Sequence, residues 1–141
     1  GGCSVAEELM LEIVTPEAMV FSGTVEDVTV PGGDGEFGVL KGHVSLLSSI
    51  NVGEMNFTKD GKKTYYAVGE GYAEVVATKV TILLETAERS DMIDKARAQR
   101  AKDNAEAKLS KLSKDDHDFL IAQAALSRAV ARIGASEKSL N

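Results

Sequence analysis

A chain of 141 residues with a formal net charge of −6, 43% hydrophobic and 27% charged residues, fits one ordinary globular domain or a small domain with an appendage. The acidic balance argues against a nucleic-acid binder, because a broad approach to phosphate needs cations to displace its counterions. The single cysteine, Cys3, excludes an intrachain disulfide framework and fits a reducing compartment.

No apolar run approaches the ~20 residues of a membrane span. No signal or transit-type segment is visible, so direct membrane insertion is not expected and a bacterial source is favoured. Gly1-Gly2-Cys3-Ser4 reads as an appended remnant, and residues 1–7 as a disordered or artificial start. Leu9, Leu11 and Ile13 then alternate with Met10, Glu12 and Val14, the period of a strand. Thr15-Pro16-Glu17 turns the chain, since proline fixes φ and removes a donor. Val20-Phe21 leads through Gly23 into Val25–Val30, where Val28 and Val30 share a face.

The stretch Pro31 to Ser48, PGGDGEFGVLKGHVSLLS, carries a glycine-rich loop at the edge of a β-domain, and a second apolar strand, Val44–Ile50, leaves it after Lys41-Gly42-His43. As a phosphate cradle it fails: no Lys-Ser/Thr follows, no helix opens after it, and Asp34 and Glu36 repel anions. Met55 and Phe57 begin another strand, and Asp60-Gly61 between strand-like runs is a strong hairpin signal. Thr64–Val68, Tyr72–Ala77 and the alternation Val80, Ile82, Leu84 complete the series. Short strands with regular turns predict an antiparallel β-sandwich over residues 8–87.

From Ser90 the period changes, with Asp91 placed to cap a helix and Asp94 in its first turn. Ala98, Ala101, Ala105, Leu109 and Leu112 form one apolar stripe. Ser113–Asp116 can turn, and Phe119, Ala122, Leu126, Ala129 and Ile133 repeat the stripe until Gly134 ends it. An antiparallel two-helix hairpin over 88–138 follows, giving an α+β chain of sandwich then hairpin. Its stripes are mostly alanine, and a buried methyl contributes on the order of 1 kcal/mol against roughly 1.5–3 for leucine. Such a hairpin closes well and grips weakly; whether it stays docked or leaves is open at this point.

His43 and His117 lie far apart without paired cysteines, so no metal site is expected, and no nucleophile–base pair stands out from the scattered serines. An enzyme active site is not expected.

The order and spacing of several short motifs resemble the epsilon subunit family of bacterial and chloroplast F-type ATP synthases, called delta in mitochondria. They are Val-Thr-Pro at 14–16, Val-Phe-Ser-Gly at 20–23, Gly-Glu-Phe-Gly-Val-Leu at 35–40, Gly-His at 42–43, Val-Thr-Ile-Leu at 80–83 and Ile-Asp-x-x-Arg-Ala at 93–98. The likeness spans Leu9 to Lys138, with Ser45 in place of a usual proline and Gly69-Glu70-Gly71 in place of a Gly-Gly pair.

The resemblance implies a non-catalytic rotor component of the central stalk, peripheral on the cytoplasmic face of a bacterial inner membrane through its complex. It implies that the sandwich binds the gamma subunit and sits on the c-subunit ring, with Glu36 and His43 facing the ring; the plainer reading is that both only satisfy local turns. It implies further that the hairpin either folds on the sandwich or extends to the alpha and beta subunits of the catalytic head and blocks ATP hydrolysis. No cofactor is required, but in some bacterial members ATP binds the folded hairpin. The motif carries that role to Ile93, Asp94, Arg97 and Ala98, with Glu88, Arg128 and Arg132 at supporting positions.

Arginine forks suit phosphate oxygens, and Asp94 and Arg97, three apart on a helix, share a face and can pair. Asn104 departs from the pattern, standing where well-binding members carry another arginine. Loss of one charged contact costs ~1.5–3 kcal/mol, one to two decades of affinity. Composition alone would read these residues as a solvated helix face. A free-standing nucleotide-sensing module is the competing function.

Overall fold

The structure, a computed structural model, describes residues 9–32, 35–38 and 46–138, with 35–38 and Leu46 described by backbone alone. Alternation in β1 (Leu9–Val14) sends Leu9, Leu11 and Ile13 inward, where each is fully buried. Thr15–Ala18 closes a tight turn through Thr15 N–H to Ala18 O at 2.9 Å, and β2 (Met19–Val25) returns antiparallel. β3 (Asp27–Gly32) pairs with β4 (Gly35–Gly38), Gly32 opposite Gly35.

β5 (Leu46–Ile50), β6 (Gly53–Lys59), β7 (Lys62–Val68), β8 (Gly71–Val76), β9 (Lys79–Leu84) and β10 (Ala87–Arg89) complete the β-region. One sheet runs β10-β7-β6-β3-β5-β8-β9-β1-β2, with β4 attached to β3. Every pairing among the described strands is antiparallel except β1 with β9, which is parallel. A parallel neighbour needs a long crossover, and β2 to β8 supply it, so no local pattern announces this pair. At the Asp60–Gly61 turn both residues take positive φ, 52° and 76°, as a two-residue hairpin of the favoured twist requires.

The sheet folds over itself into a sandwich. β2 meets β6, and the Phe21 and Phe57 rings sit 4.4 Å apart between them. Val28, Val30, Met55, Val80 and Ile82 join the inward residues of β1 in a main core built entirely from strands. At roughly 1.5–3 kcal/mol for each large side chain, this core is the principal stabilising term.

After β10 a single 3₁₀ turn, Ser90–Met92, precedes α1 (Lys95–Leu109). The cap of α1 is therefore Asp94, whose carboxylate accepts from Arg97 N–H at 3.0 Å. The expected cap, Asp91, instead lies in the 3₁₀ turn and takes the Arg89 guanidinium Nε–H at 2.6 Å. That guanidinium holds the Asp91 carboxyl below the usual carboxylate range.

α2 (His117–Lys138) runs through Gly134 rather than ending there. Gly134 lies against the Glu54 side chain of β6, where a Cβ would stand 2.5 Å from the mobile carboxylate oxygen Oε2. Ala98 and Ala105 of α1 and Ala122 and Ala129 of α2 are buried, as the stripes predict, with Leu109, Leu112, Phe119, Leu126 and Ile133 half-buried around them. α2 is the helix that packs on β6, β7 and the 3₁₀ turn, and α1 packs on α2.

Candidate functional site

The hairpin meets the sandwich through very little apolar surface. Ala131 and Ala135 of α2 touch Ala67 of β7, with Val52 and Ile93 at the margin, in a cluster separate from the main core. Two ion pairs flank it. Arg132 Nε donates to Glu88 Oε1 of β10 at 2.5 Å, and Lys138 Nζ lies 2.7 Å from Glu54 Oε1 of β6 and 5.5 Å from the Tyr65 ring centroid. The junction is thin, charged and anchored at about the last two turns of α2.

Of the residues singled out by the Ile-Asp-x-x-Arg-Ala motif and its supports, the structure gathers part at this junction. Glu88 and Arg132 are bound to each other, and Ile93 borders the Ala131–Ala135 cluster. Asp94 and Arg97 are linked, but through the helix cap: Asp94 accepts from the Arg97 backbone and not from its guanidinium, because an N-cap carboxylate lies over the first free N–H groups. Arg97 and Arg128 expose their side chains, Arg128 one turn before Arg132, while the Ala98 methyl is buried between the helices. Asn104 is exposed and lines a groove between α1 and α2 with Ala101, Lys108 and Ile121.

Glu54, Gly134 and Lys138 were not visible as site residues in the sequence. Nothing local marks them, since a carboxylate on β6 and a lysine some eighty residues later become partners only when α2 docks. Glu36 falls in β4 but its side chain, like the whole of His43, lies outside the described residues.

A second feature is an exposed apolar face on the sandwich. Tyr72, Leu83, Val14 and Met19 are cross-strand neighbours in one row over β8, β9, β1 and β2, and Tyr72, Leu83 and Met19 are each more than half exposed. Leu47, Val76 and Met10 are exposed on the same layer. A cleft of about 560 Å³ opens beside the row, lined by Thr15, Asn51, Glu70, Tyr72, Leu83 and Glu85. A contiguous apolar face of this kind marks an interaction surface. The signal was present in the sequence, as apolar residues at the outward positions of strands whose inward positions are already apolar.

No described helix is long and apolar enough to cross a membrane.

Comparison with known proteins accounts for this layout. Residues 8–90 match the family described as ATP synthase, Delta/Epsilon chain, beta-sandwich domain, and residues 91–137 match ATP synthase, Delta/Epsilon chain, long alpha-helix domain. The chain is 47% identical over 134 residues to the ATP synthase epsilon chain of Geotalea uraniireducens (strain Rf4), covering 95% of this chain and 97% of the relative. It is 44% identical over the same length and shares to the ATP synthase epsilon chain of Geobacter sulfurreducens. A chain in the cryo-EM structure of the Euglena gracilis mitochondrial ATP synthase, at 22% identity, shares the fold with a TM-score of 0.78, covering 100% of this chain and 86% of that one.

Proposed function

The chain belongs to the ATP synthase delta/epsilon chain family over both its sandwich and its helices, and from that premise we propose that its helical arm restrains ATP hydrolysis and is held down by ATP. As an epsilon chain it is a non-catalytic subunit of the central stalk. The observation that carries the regulatory reading is the arm's attachment. The main core contains no helical residue, and the arm docks through a small separate cluster of three alanines with Val52 and Ile93 at its margin, flanked by two ion pairs and the Lys138–Tyr65 contact.

An arm so held can leave without opening the sandwich. Extended, it would reach the alpha and beta subunits of the head; docked, it would leave rotation free. ATP would bind at the junction by bringing phosphate to Arg97, Arg128 and Arg132, with Glu88 keeping its hold on Arg132 from the sandwich side, and Ile93, Asp94 and Ala98 framing the site. At 100 times its dissociation constant, ATP would stabilise the docked state by about 2.7 kcal/mol, comparable to what a few buried methyls contribute at roughly 1 kcal/mol each.

The test is calorimetric titration of the isolated chain with ATP, repeated on Arg97→Ala and Arg128→Ala. Saturable binding to the native chain, lost in both variants, is the expected result. No binding at millimolar ATP would remove ATP from the mechanism and leave the arm to its partners and to rotation.

For the stalk contacts, we place the gamma subunit on the row Tyr72–Leu83–Val14–Met19 and the c-ring at the glycine-rich loop with Glu36 and His43. The subunit would thus be peripheral on the cytoplasmic face of the membrane. Leu83→Asp combined with Tyr72→Ala is expected to lower recovery of gamma in co-purification at least tenfold, since aromatic and apolar anchors dominate such interfaces by about 2 kcal/mol or more each. Unchanged recovery would move gamma to another face. A free-standing nucleotide sensor has no use for so large an uncovered apolar row, and this favours the assembled subunit.

A further inference from the structure

Positive charge on the sandwich is concentrated in one place. Of the six lysines and arginines between residues 9 and 89, four (Lys59, Lys62, Lys63 and Arg89) line a single open cleft of about 1090 Å³. This cleft is the seam that the folded sheet leaves unclosed. The sheet ends at β10 on one side and β2 on the other, and Arg89 from the first and Phe21 from the second face the same space.

Its floor is aromatic. Phe21, Phe57 and Tyr66 stand in a row with centroids 4.4 and 6.0 Å apart. Lys59 Nζ sits 5.7 Å from the Phe21 ring centroid.

The arrangement of the lysines carries a cost that the neighbouring acids offset only in part. Lys59 and Lys62 are direct cross-strand partners on either side of the Asp60–Gly61 turn. Like charges placed opposite each other destabilise a hairpin. The nearby acids are outnumbered: Asp91 is bound to Arg89 and also feels Lys62, and Glu26 accepts the Gly61 N–H at 2.8 Å at the turn. Asp60 alone of the turn residues adds a negative charge to the lining.

We propose that this seam binds a multiply charged phosphate-bearing anion, clamped by Lys59 and Lys62 with Arg89 adding charge. An oxyanion between the two facing ammonium groups turns their repulsion into attraction to a common partner. Lysines suit this role as mobile point charges, and the Arg89 fork has donors beyond the one it gives Asp91. The buried aromatic floor lowers the local dielectric and so strengthens each charge contact. The site is separate from the ATP residues, of which none lines it. The phosphate could arrive as a free polyphosphate or as a phospholipid headgroup; the chemistry is shared.

The experiment titrates the full chain with inorganic tripolyphosphate by calorimetry, beside Lys59→Ala/Lys62→Ala, Lys79→Ala and Arg97→Ala. Lys79 is the charge control, paired with Glu12 at 2.8 Å outside the cleft. Saturable one-to-one binding is expected, weakened about ten- to a hundredfold in the double variant and unchanged in the other two. Sedimentation with phosphatidylglycerol vesicles forms the second arm. Binding to vesicles with none to tripolyphosphate, again lost in the double variant, assigns the site to a headgroup.

Melting curves provide a check that does not depend on affinity. Lys62→Ala should melt higher than the native chain without anion, and should lose the rise that the ligand gives the native chain. No binding to either probe at millimolar phosphate overturns the proposal. So does equal weakening in Lys79→Ala, which would indicate diffuse charge, or loss in Arg97→Ala alone, which would place the anion at the arm junction.

Discussion

Gly71→Val is expected to abolish the folded sandwich. A Cβ at this position would stand 1.9 Å from the Leu83 carbonyl oxygen and 2.9 Å from both Leu83 C and Leu84 Cα. All three obstacles are main chain, so no rotamer change relieves them, and β8 must move away from β9. Their register, from Gly71 opposite Leu84 to Val76 opposite Lys79, then fails along its length. With it go the inward positions Ala73, Val75, Val80 and Ile82 of the main core.

Forced overpacking of ordinary side chains costs about 1–3 kcal/mol, and a backbone clash across a central pair exceeds that. Against a total stability of roughly 5–15 kcal/mol for a domain, little native population is expected in a urea melt followed by circular dichroism. Gly61→Ala is the informative contrast. Its φ of +76° is unfavourable for a side chain, yet nothing lies within 4 Å of the added carbon, so a loss of only about 1–2 kcal/mol is expected. If Gly71→Val melted like Gly61→Ala, the β8–β9 register would be wrong.

Ala135→Asp is expected to have an equally large but confined effect: the arm comes off and the sandwich stays. Ala135 is fully buried against Ala67 and Ala131. An unpaired carboxylate in such a place costs several kcal/mol. The methyl contacts it must defeat contribute only about 1 kcal/mol each, and Arg132–Glu88, at the half-exposed rim, contributes modestly. Undocking is the cheaper response.

Limited trypsin digestion should then cut rapidly after the lysines and arginines of 95–138, while a sandwich fragment survives and melts as before. Cooperative loss of the whole chain would instead show that the arm is integral to the fold, and the regulatory reading would lose its physical basis.

These two sites also show which parts of the molecule could be read in one dimension. The inward alternation of β1, the Asp60–Gly61 hairpin, the strand series and the two alanine stripes are local patterns of period two or about four, and each appears in the structure where the pattern puts it. The cap of α1 lies three residues beyond the one that local pattern indicates, because Asp91 and Asp94 are equally good cap residues. Only the 3₁₀ turn after β10, fixed by pairing to β7 and by the Arg89–Asp91 bond, chooses between them. Gly134 reads as a stop, because a glycine late in a helix usually is one. In the folded chain the helix continues through it, with the Glu54 carboxylate of β6 beside it.

Local patterning along the chain specifies a strand-built sandwich followed by a weakly gripping helical hairpin, and the motifs point to the epsilon family. Those properties follow from which side chains alternate with which neighbours, and neighbours along a chain are always known. The folded chain alone sets β1 parallel to β9, Glu88 against Arg132 and Glu54 against Lys138, and brings five cations to the unclosed seam. Each joins residues far apart in the chain, and such a contact has no local energy to leave a pattern: it exists only once the sheet has folded over and the arm has come down.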